Sequence, residues 1–144
     1  MRTGAEFYLD ASVLVALFTN DPFAPRADRF LRENVSVLIV SDFAAAEFAA
    51  VIGRHMRARN ITEREARAAL ATFDSWAARV AERVEIASAD LRMAEAFLRR
   101  LDLKLRAPDA IHIATAQRIG ATLFTFDAGM MKNARALGTP VAAA

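Results

Sequence analysis

Cysteine is absent from the 144 residues, which removes thiolate metal sites, thiol nucleophiles and disulfide frameworks together. Any metal must then be held by oxygen or by histidine, and only two histidines are present. Long apolar runs are missing as well. The longest near the N-terminus, Phe7 to Phe18, is interrupted by Asp10 and Ser12 and is shorter than the ~20 residues needed to span a bilayer. It also makes a poor secretory signal, with a carboxylate inside the apolar region and no small-residue cleavage site after it. A strong charge of either sign is lacking too: 19 Lys plus Arg against 17 Asp plus Glu give +2, too little by itself to announce a nucleic-acid binder. No internal repeat, linker or low-complexity segment occurs, and the terminal alanines read as a tail without a role. These absences lead to the expectation of a soluble cytoplasmic protein and one domain over residues 1–144.

What is present is enough apolar material for a continuous core without disulfides: 55% of the residues are hydrophobic and 25% charged, within the globular range. Four acidic residues stand out against it. Asp10 ends FYLD, Glu47 sits inside FAAAEFAAVI, Asp109 inside APDAIHIATA, and Asp127 ends LFTFD, all apolar surroundings in which a carboxylate is not expected. If folding gathers them, each close pair repels by about 4 kcal/mol at ~4 Å and an intermediate effective dielectric. Such a cluster needs a cation. With four acids so sequestered, the remaining surface is more basic than the net charge suggests, and mostly arginine, the better phosphate partner.

The coarse pattern alternates strands with helices. Strands are expected at Glu6 to Leu9, Val37 to Val40, Val84 to Ile86 and Thr122 to Thr125, with a last short one starting at Val141. Helices are expected from Ala11 to Phe18, from Pro25 to about Asn34, after Ser41 or Asp42 to about Arg59, and from Thr62 to about Val80. Three more follow: one capped by Ser88 and running to about Arg100, one opened by Pro108 and closed by Gly120, and one capped by Asp127 and ending at Gly138. The caps support these limits: Thr62 with Glu65 three residues on is a capping box, and Gly120 suits a helix end. Strands alternating with helices argue for a parallel sheet covered on both faces, where ligands sit beyond the carboxyl ends of the strands. Asp10 and Asp127 fall at two such ends.

Each acid also has a plain structural explanation. Asp10 and Asp127 suit N-cap positions, and Asp109 behind Pro108 is favoured by the amides of a first helical turn. Glu47 is harder to explain, because at helical spacing it shares a face with Phe43, Ala50 and Val51 and would point toward the core. Ser12 and Thr125 are candidate hydrogen-bond partners for the aspartates. His112 is expected as a core or rim histidine with one hydrogen bond rather than a ligand, and Asp90 as a first-turn acid with no further role.

Taken together, LDASVLVAL with Asp10, SDFAAAEFAAVI with Glu47, PDAIHIATA with Asp109 and TLFTFD with Thr125 and Asp127 resemble the PIN-domain nucleases. Within them the pattern is most similar to the small VapC-type toxins of toxin-antitoxin pairs, and the resemblance covers essentially the whole chain. It implies a three-layer α/β/α fold with a parallel sheet in the order 3-2-1-4-5 and the four acids collected at one edge. It also implies RNA hydrolysis leaving a 5′-phosphate and a 3′-hydroxyl, an antitoxin partner and a homodimer. Hard carboxylate oxygens without cysteine select Mg²⁺ or Mn²⁺ over zinc. Asp10, Glu47, Asp109 and Asp127 are then the expected ligands, direct or through water, and the catalytic residues. Ser12 and Thr125 stand behind them, and Arg54, Arg57 and Arg106 are candidates for holding the RNA backbone. A housekeeping nuclease and a non-catalytic RNA- or protein-binding module share these features. A receiver domain would need adjacent acids after the first strand, where only Asp10 stands.

Overall fold

A computed structural model of the chain describes residues 5–34 and 36–142. The elements run β1 (Glu6–Leu9), α1 (Ala11–Phe18), α2 (Ala24–Glu33), β2 (Val37–Ser41), α3 (Asp42–Arg57), α4 (Glu63–Val80), β3 (Ala81–Val84), α5 (Ser88–Leu98), α6 (Ala107–Ile119), β4 (Thr122–Phe124) and α7 (Ala128–Ala136). Most helices begin where a short polar side chain can satisfy a free amide. Asp10 accepts from the Val13 N–H, Ser41 from Ala44 and Asp127 from Met130, while Thr62 and Glu65 cap α4 reciprocally. Gly120 ends α6 at φ +70°, a left-handed conformation that favours glycine.

Two boundaries differ from expectation. β3 starts at Ala81 directly after α4 and pairs with β2 from Leu38↔Ala81 to Ser41↔Val84, so it lies earlier than Val84 to Ile86. Its residues AERV lack an apolar run because this is an edge strand, with Glu82 and Arg83 exposed. Ser88 is the first helical residue of α5 rather than its cap; Ala87 holds the cap position, and the Asp90 carboxylate takes the Ala87 N–H at 2.9 Å.

The four strands form a parallel sheet in the order β3-β2-β1-β4. Val141 adds one parallel bridge to Leu123 on the outer side of β4, where the fifth strand was expected. Successive strand side chains alternate between two cores, as strand geometry requires. Phe7, Leu9, Val40 and Phe124 pack with Val13, Leu14, Phe30, Phe48, Ile52 and Phe73 from α1 to α4. Tyr8, Ile39 and Leu123 pack on the other side with Phe97, Ala110, Ile113, Met130 and Ala134 from α5 to α7. The result is three layers, α/β/α. Ala142, expected in an idle tail, is buried and donates its N–H to Leu123 O at 2.8 Å; Ala143 and Ala144 lie outside the described residues. Among the described residues no helix is long and apolar enough to cross a membrane.

Candidate active site at the carboxyl edge of the sheet

Parallel strands deliver their carboxyl ends to one edge, and here the chain leaves β1 at Asp10, β2 at Ser41 and β4 at Thr125 to Asp127. The Asp10 N–H donates to Phe124 O at 3.3 Å, which joins the ends of β1 and β4 and sets their side chains beside each other. Glu47 projects from the second turn of α3 and Asp109 from the first turn of α6. A cleft of about 140 Å³ results, lined by Asp10, Ser12, Glu47, Asp109, His112 and Asp127 among others. All four acids singled out in the sequence therefore face one space.

Asp10 is the most tightly held. Its side chain takes the Ser12 hydroxyl at 2.6 Å on Oδ1 and the Thr125 hydroxyl at 2.5 Å on Oδ2, with the Val13 amide at 3.3 Å. Ser12 Oγ in turn accepts the Phe126 N–H at 3.0 Å, and Thr125 Oγ1 accepts the Asp127 N–H at 3.0 Å. These two hydroxyls thus tie both aspartates to one framework. Asp127 accepts the Met130 amide at 2.8 Å, and a side chain at Gly129 would crowd its Oδ1.

Two of the carboxyls are electrostatically uncomfortable. Burial pushes the Asp10 carboxyl above its usual range, against the opposing pull of the Ser12 and Thr125 hydroxyls. Burial likewise pushes Asp109 up; Arg106 opposes the shift and the charge of Asp127 adds to it. Arg106 Nε stands 3.5 Å from Asp109 Oδ2 and is 75% exposed, so it screens the site only from its rim. Arg106 lines the cleft; Arg54 and Arg57 do not. Arg54 lies seven residues beyond Glu47, ~10 Å along α3, and the Arg57 guanidinium lies over Gly53.

Glu47 differs from expectation. The core face of α3 is Ala44, Ala45, Phe48 and Ile52, while Ala50 is exposed and Glu47 retains 30% side-chain exposure. Its Oε1 is hydrogen-bonded to His112 Nε2. His112 is not a one-bond histidine either: its Nδ1 meets the Tyr8 hydroxyl at 2.6 Å, and that hydroxyl meets Ser41 Oγ at 2.7 Å. Sequence reasoning passed over Tyr8 and gave His112 too little. The available signal was that His112 stands three residues after Asp109, hence on the same helix face.

Asp90 lies elsewhere, and it is more than a first-turn acid. It is 1% exposed and takes Arg118 Nε at 2.6 Å and Nη2 at 3.0 Å, locking α5 to α6.

The oxygen-rich donor set suits a hard divalent cation, and burial, which raises the Asp10 and Asp109 carboxyls, makes a positive partner there favourable. Among the described residues no group of three or more His, Asp or Glu side chains is close enough to hold a metal ion by itself. The fit is therefore to an ion that keeps part of its hydration shell, as Mg²⁺ does.

Residues 7–136 match the sequence model of the PIN domain. The chain belongs to the PIN-domain family. Within that family it is of the VapC type. It is 35% identical over 143 residues to Ribonuclease VapC46 of Mycobacterium tuberculosis, covering 96% of this chain and 98% of that one. Two solved structures share the fold. M. tuberculosis VapC20, a toxin that cleaves the sarcin-ricin loop, superposes with a TM-score of 0.72 at 19% identity, over 92% of this chain and 95% of that one. VapBC from Salmonella typhimurium, bound to DNA, gives a TM-score of 0.69 at 16% identity over 96% and 97%. Membership of the VapC type supports nuclease activity in general.

Proposed function

We propose that this VapC-type chain hydrolyses RNA phosphodiester bonds with Mg²⁺ or Mn²⁺ held among Asp10, Glu47, Asp109 and Asp127. The supporting observation is that four carboxylates from four separate segments line one small cleft, two of them with raised pKa values. A divalent ion there supplies a more acidic water and positive charge beside the scissile phosphate. The residues supply the rest. Ser12 and Thr125 keep Asp10 oriented and favour its ionised form against burial, and Thr125 also fixes the backbone entering Asp127. Arg106 at the rim holds the RNA backbone, with Arg54 and Arg57 along α3 reaching phosphates farther from the cut. Hydrolysis breaks the bond between phosphorus and the 3′-oxygen, leaving a 5′-phosphate and a 3′-hydroxyl. Its similarity to a named ribonuclease over nearly the whole chain supports RNA as substrate.

As the toxin of a pair, the chain forms a homodimer and is restrained by an antitoxin whose basic side chain reaches the acidic cleft and competes with metal. The helices from Ser41 to Arg59 and from Thr62 to Val80, rich in Ala, Phe and Ile, are the surfaces the sequence offers for that partner. Much of their apolar surface fills the core, including Phe48, Ile52 and Phe73. An open groove of about 420 Å³ remains between the end of α1 and the start of α4, lined by Leu17, Phe18, Ile61 and Ala69 among others, which suits the apolar face of a peptide helix.

The test is cleavage of a mixed RNA substrate by the purified chain in Mg²⁺, in Mn²⁺ and in excess chelator, with the new ends identified. Metal-dependent cuts bearing 5′-phosphates are expected. Cleavage that survives chelation, or none in either metal, overturns the proposal.

A further inference from the structure

A continuous run of hydrogen bonds stands behind Glu47. It starts at the backbone of α3, crosses the sheet through Tyr8 and returns to α3 at Glu47. We propose that Tyr8 and His112 are positioning residues for Glu47: a relay from the Ala44 amide through Ser41, Tyr8 and His112 holds the imidazole as its Nε2–H tautomer, which donates to the Glu47 carboxylate. The geometry stands by itself; its consequence for cleavage rests on the nuclease function proposed above.

The proton positions follow from the two ends. The Ala44 N–H can only donate, and it donates to Ser41 Oγ at 3.0 Å. Ser41 is fully buried, so its own proton must find an acceptor, and the Tyr8 hydroxyl oxygen at 2.7 Å is the partner the described residues offer. Tyr8 then directs its proton to His112 Nδ1 at 2.6 Å. Burial pushes the Tyr8 hydroxyl above its ordinary pKa, so it stays a neutral O–H donor. With Nδ1 an acceptor, the one imidazole proton is on Nε2, facing a Glu47 oxygen that, ionised, can only accept. The opposite tautomer fails at the far end. If Nδ1–H donated to Tyr8, Tyr8 would donate to Ser41, and the buried Ser41 proton would have no acceptor.

The ring plane is fixed as well. Phe43 lies against His112 at 5.0 Å between centroids, and the Tyr8 ring meets it at 5.6 Å. A half-exposed glutamate has three rotatable bonds; engaging Oε1 with a fixed N–H leaves Oε2, which makes no hydrogen bond among the described residues, for the cleft.

The experiment combines imidazole ¹⁵N spectra of the full chain with three variants. Wild type should show His112 protonated at Nε2 and bare at Nδ1 at neutral pH. Tyr8→Phe, which removes only the hydroxyl, should allow both tautomers and lower kcat by about tenfold, a usual loss for a group behind a ligand, with KM little changed. His112→Gln keeps a donor for Glu47; His112→Leu does not. The Gln variant should therefore keep more of the Mn²⁺-induced rise in melting temperature, and more cleavage, than the Leu variant, the reverse of what a packing role gives. An Nδ1–H tautomer in wild type, or Gln no better than Leu, overturns the relay. Should the His112 variants fail to fold, the wild-type and Tyr8→Phe spectra decide it. If no RNA is cut by wild type, the nuclease proposal falls, while the spectra and the Mn²⁺ shift still test the positioning.

Discussion

The Thr125 hydroxyl donates to Asp10 at 2.5 Å across 115 residues of sequence, and the same oxygen accepts the Asp127 amide. One threonine thus sets two carboxylates. Thr125→Val keeps the shape and removes both bonds. It should destabilise the fold by about 1–2 kcal/mol and cut the cleavage rate by roughly tenfold or more. Thr125→Ser should restore most of both, as read by thermal unfolding and single-turnover cleavage. A valine variant as active as wild type would remove Thr125 from the site.

Divalent metal should raise the melting temperature, because the ion binds the folded cleft and has little affinity for the separated carboxylates of the unfolded chain. Asp109→Asn should behave in two opposite ways. Without metal it relieves repulsion from Asp127 and should leave stability unchanged or raise it by about 1–3 °C; with millimolar Mn²⁺ it should shift less than wild type. Calorimetry in both conditions checks this, and no metal shift in wild type would sink the clustered site.

Asp10→Asn, Glu47→Gln and Asp127→Asn should each lower RNA cleavage by about 100-fold or more while the far-ultraviolet spectrum stays native, since each removes charge the ion needs. Glu47→Gln at the wild-type rate would exclude that residue.

Asp90→Asn separates stability from activity. Arg118 and the Ala87 amide outweigh the burial that opposes them and hold the Asp90 carboxyl below its usual range, so the folded chain binds that proton more weakly than the unfolded one. Its stabilisation is present above the unfolded pKa of about 3.9 and is lost as pH falls through the lower folded value. The variant should lose about 1–2 kcal/mol at neutral pH, since the charge-assisted bonds from Arg118 to the buried Asp90 carboxylate become bonds to a neutral amide. It should converge on wild type as pH falls below the lowered folded pKa. Cleavage per folded molecule should be unchanged. Urea titrations from pH 3 to 7 test the sign, and a constant difference across that range would refute it.

Arg106→Gln should raise KM several-fold with little effect on kcat and reduce the salt dependence of RNA binding by about one phosphate contact. Equal salt slopes for the two proteins would show that Arg106 contacts no phosphate.

Much of this architecture is local. The Thr62 and Glu65 capping box, the Asp127 cap and the left-handed Gly120 are decided by residues a few positions apart, so they can be read from the string of letters. The same is true of the strands β1 and β2, whose short apolar runs FYL and VLIV suit strands buried on both faces. β3 was misplaced because an edge strand with one solvated side carries no such run, and only pairing with β2 defines it. The four acids were legible as exceptions within apolar segments, but their convergence depends on parallel strands ending at one edge. Tyr8, His112 and the Asp90 pair with Arg118 mark where local reading stops. Whether a tyrosine, a histidine or a first-turn aspartate is idle or engaged depends on what packs against it from distant sequence. In a buried, low-dielectric setting, each polar atom must find such a partner.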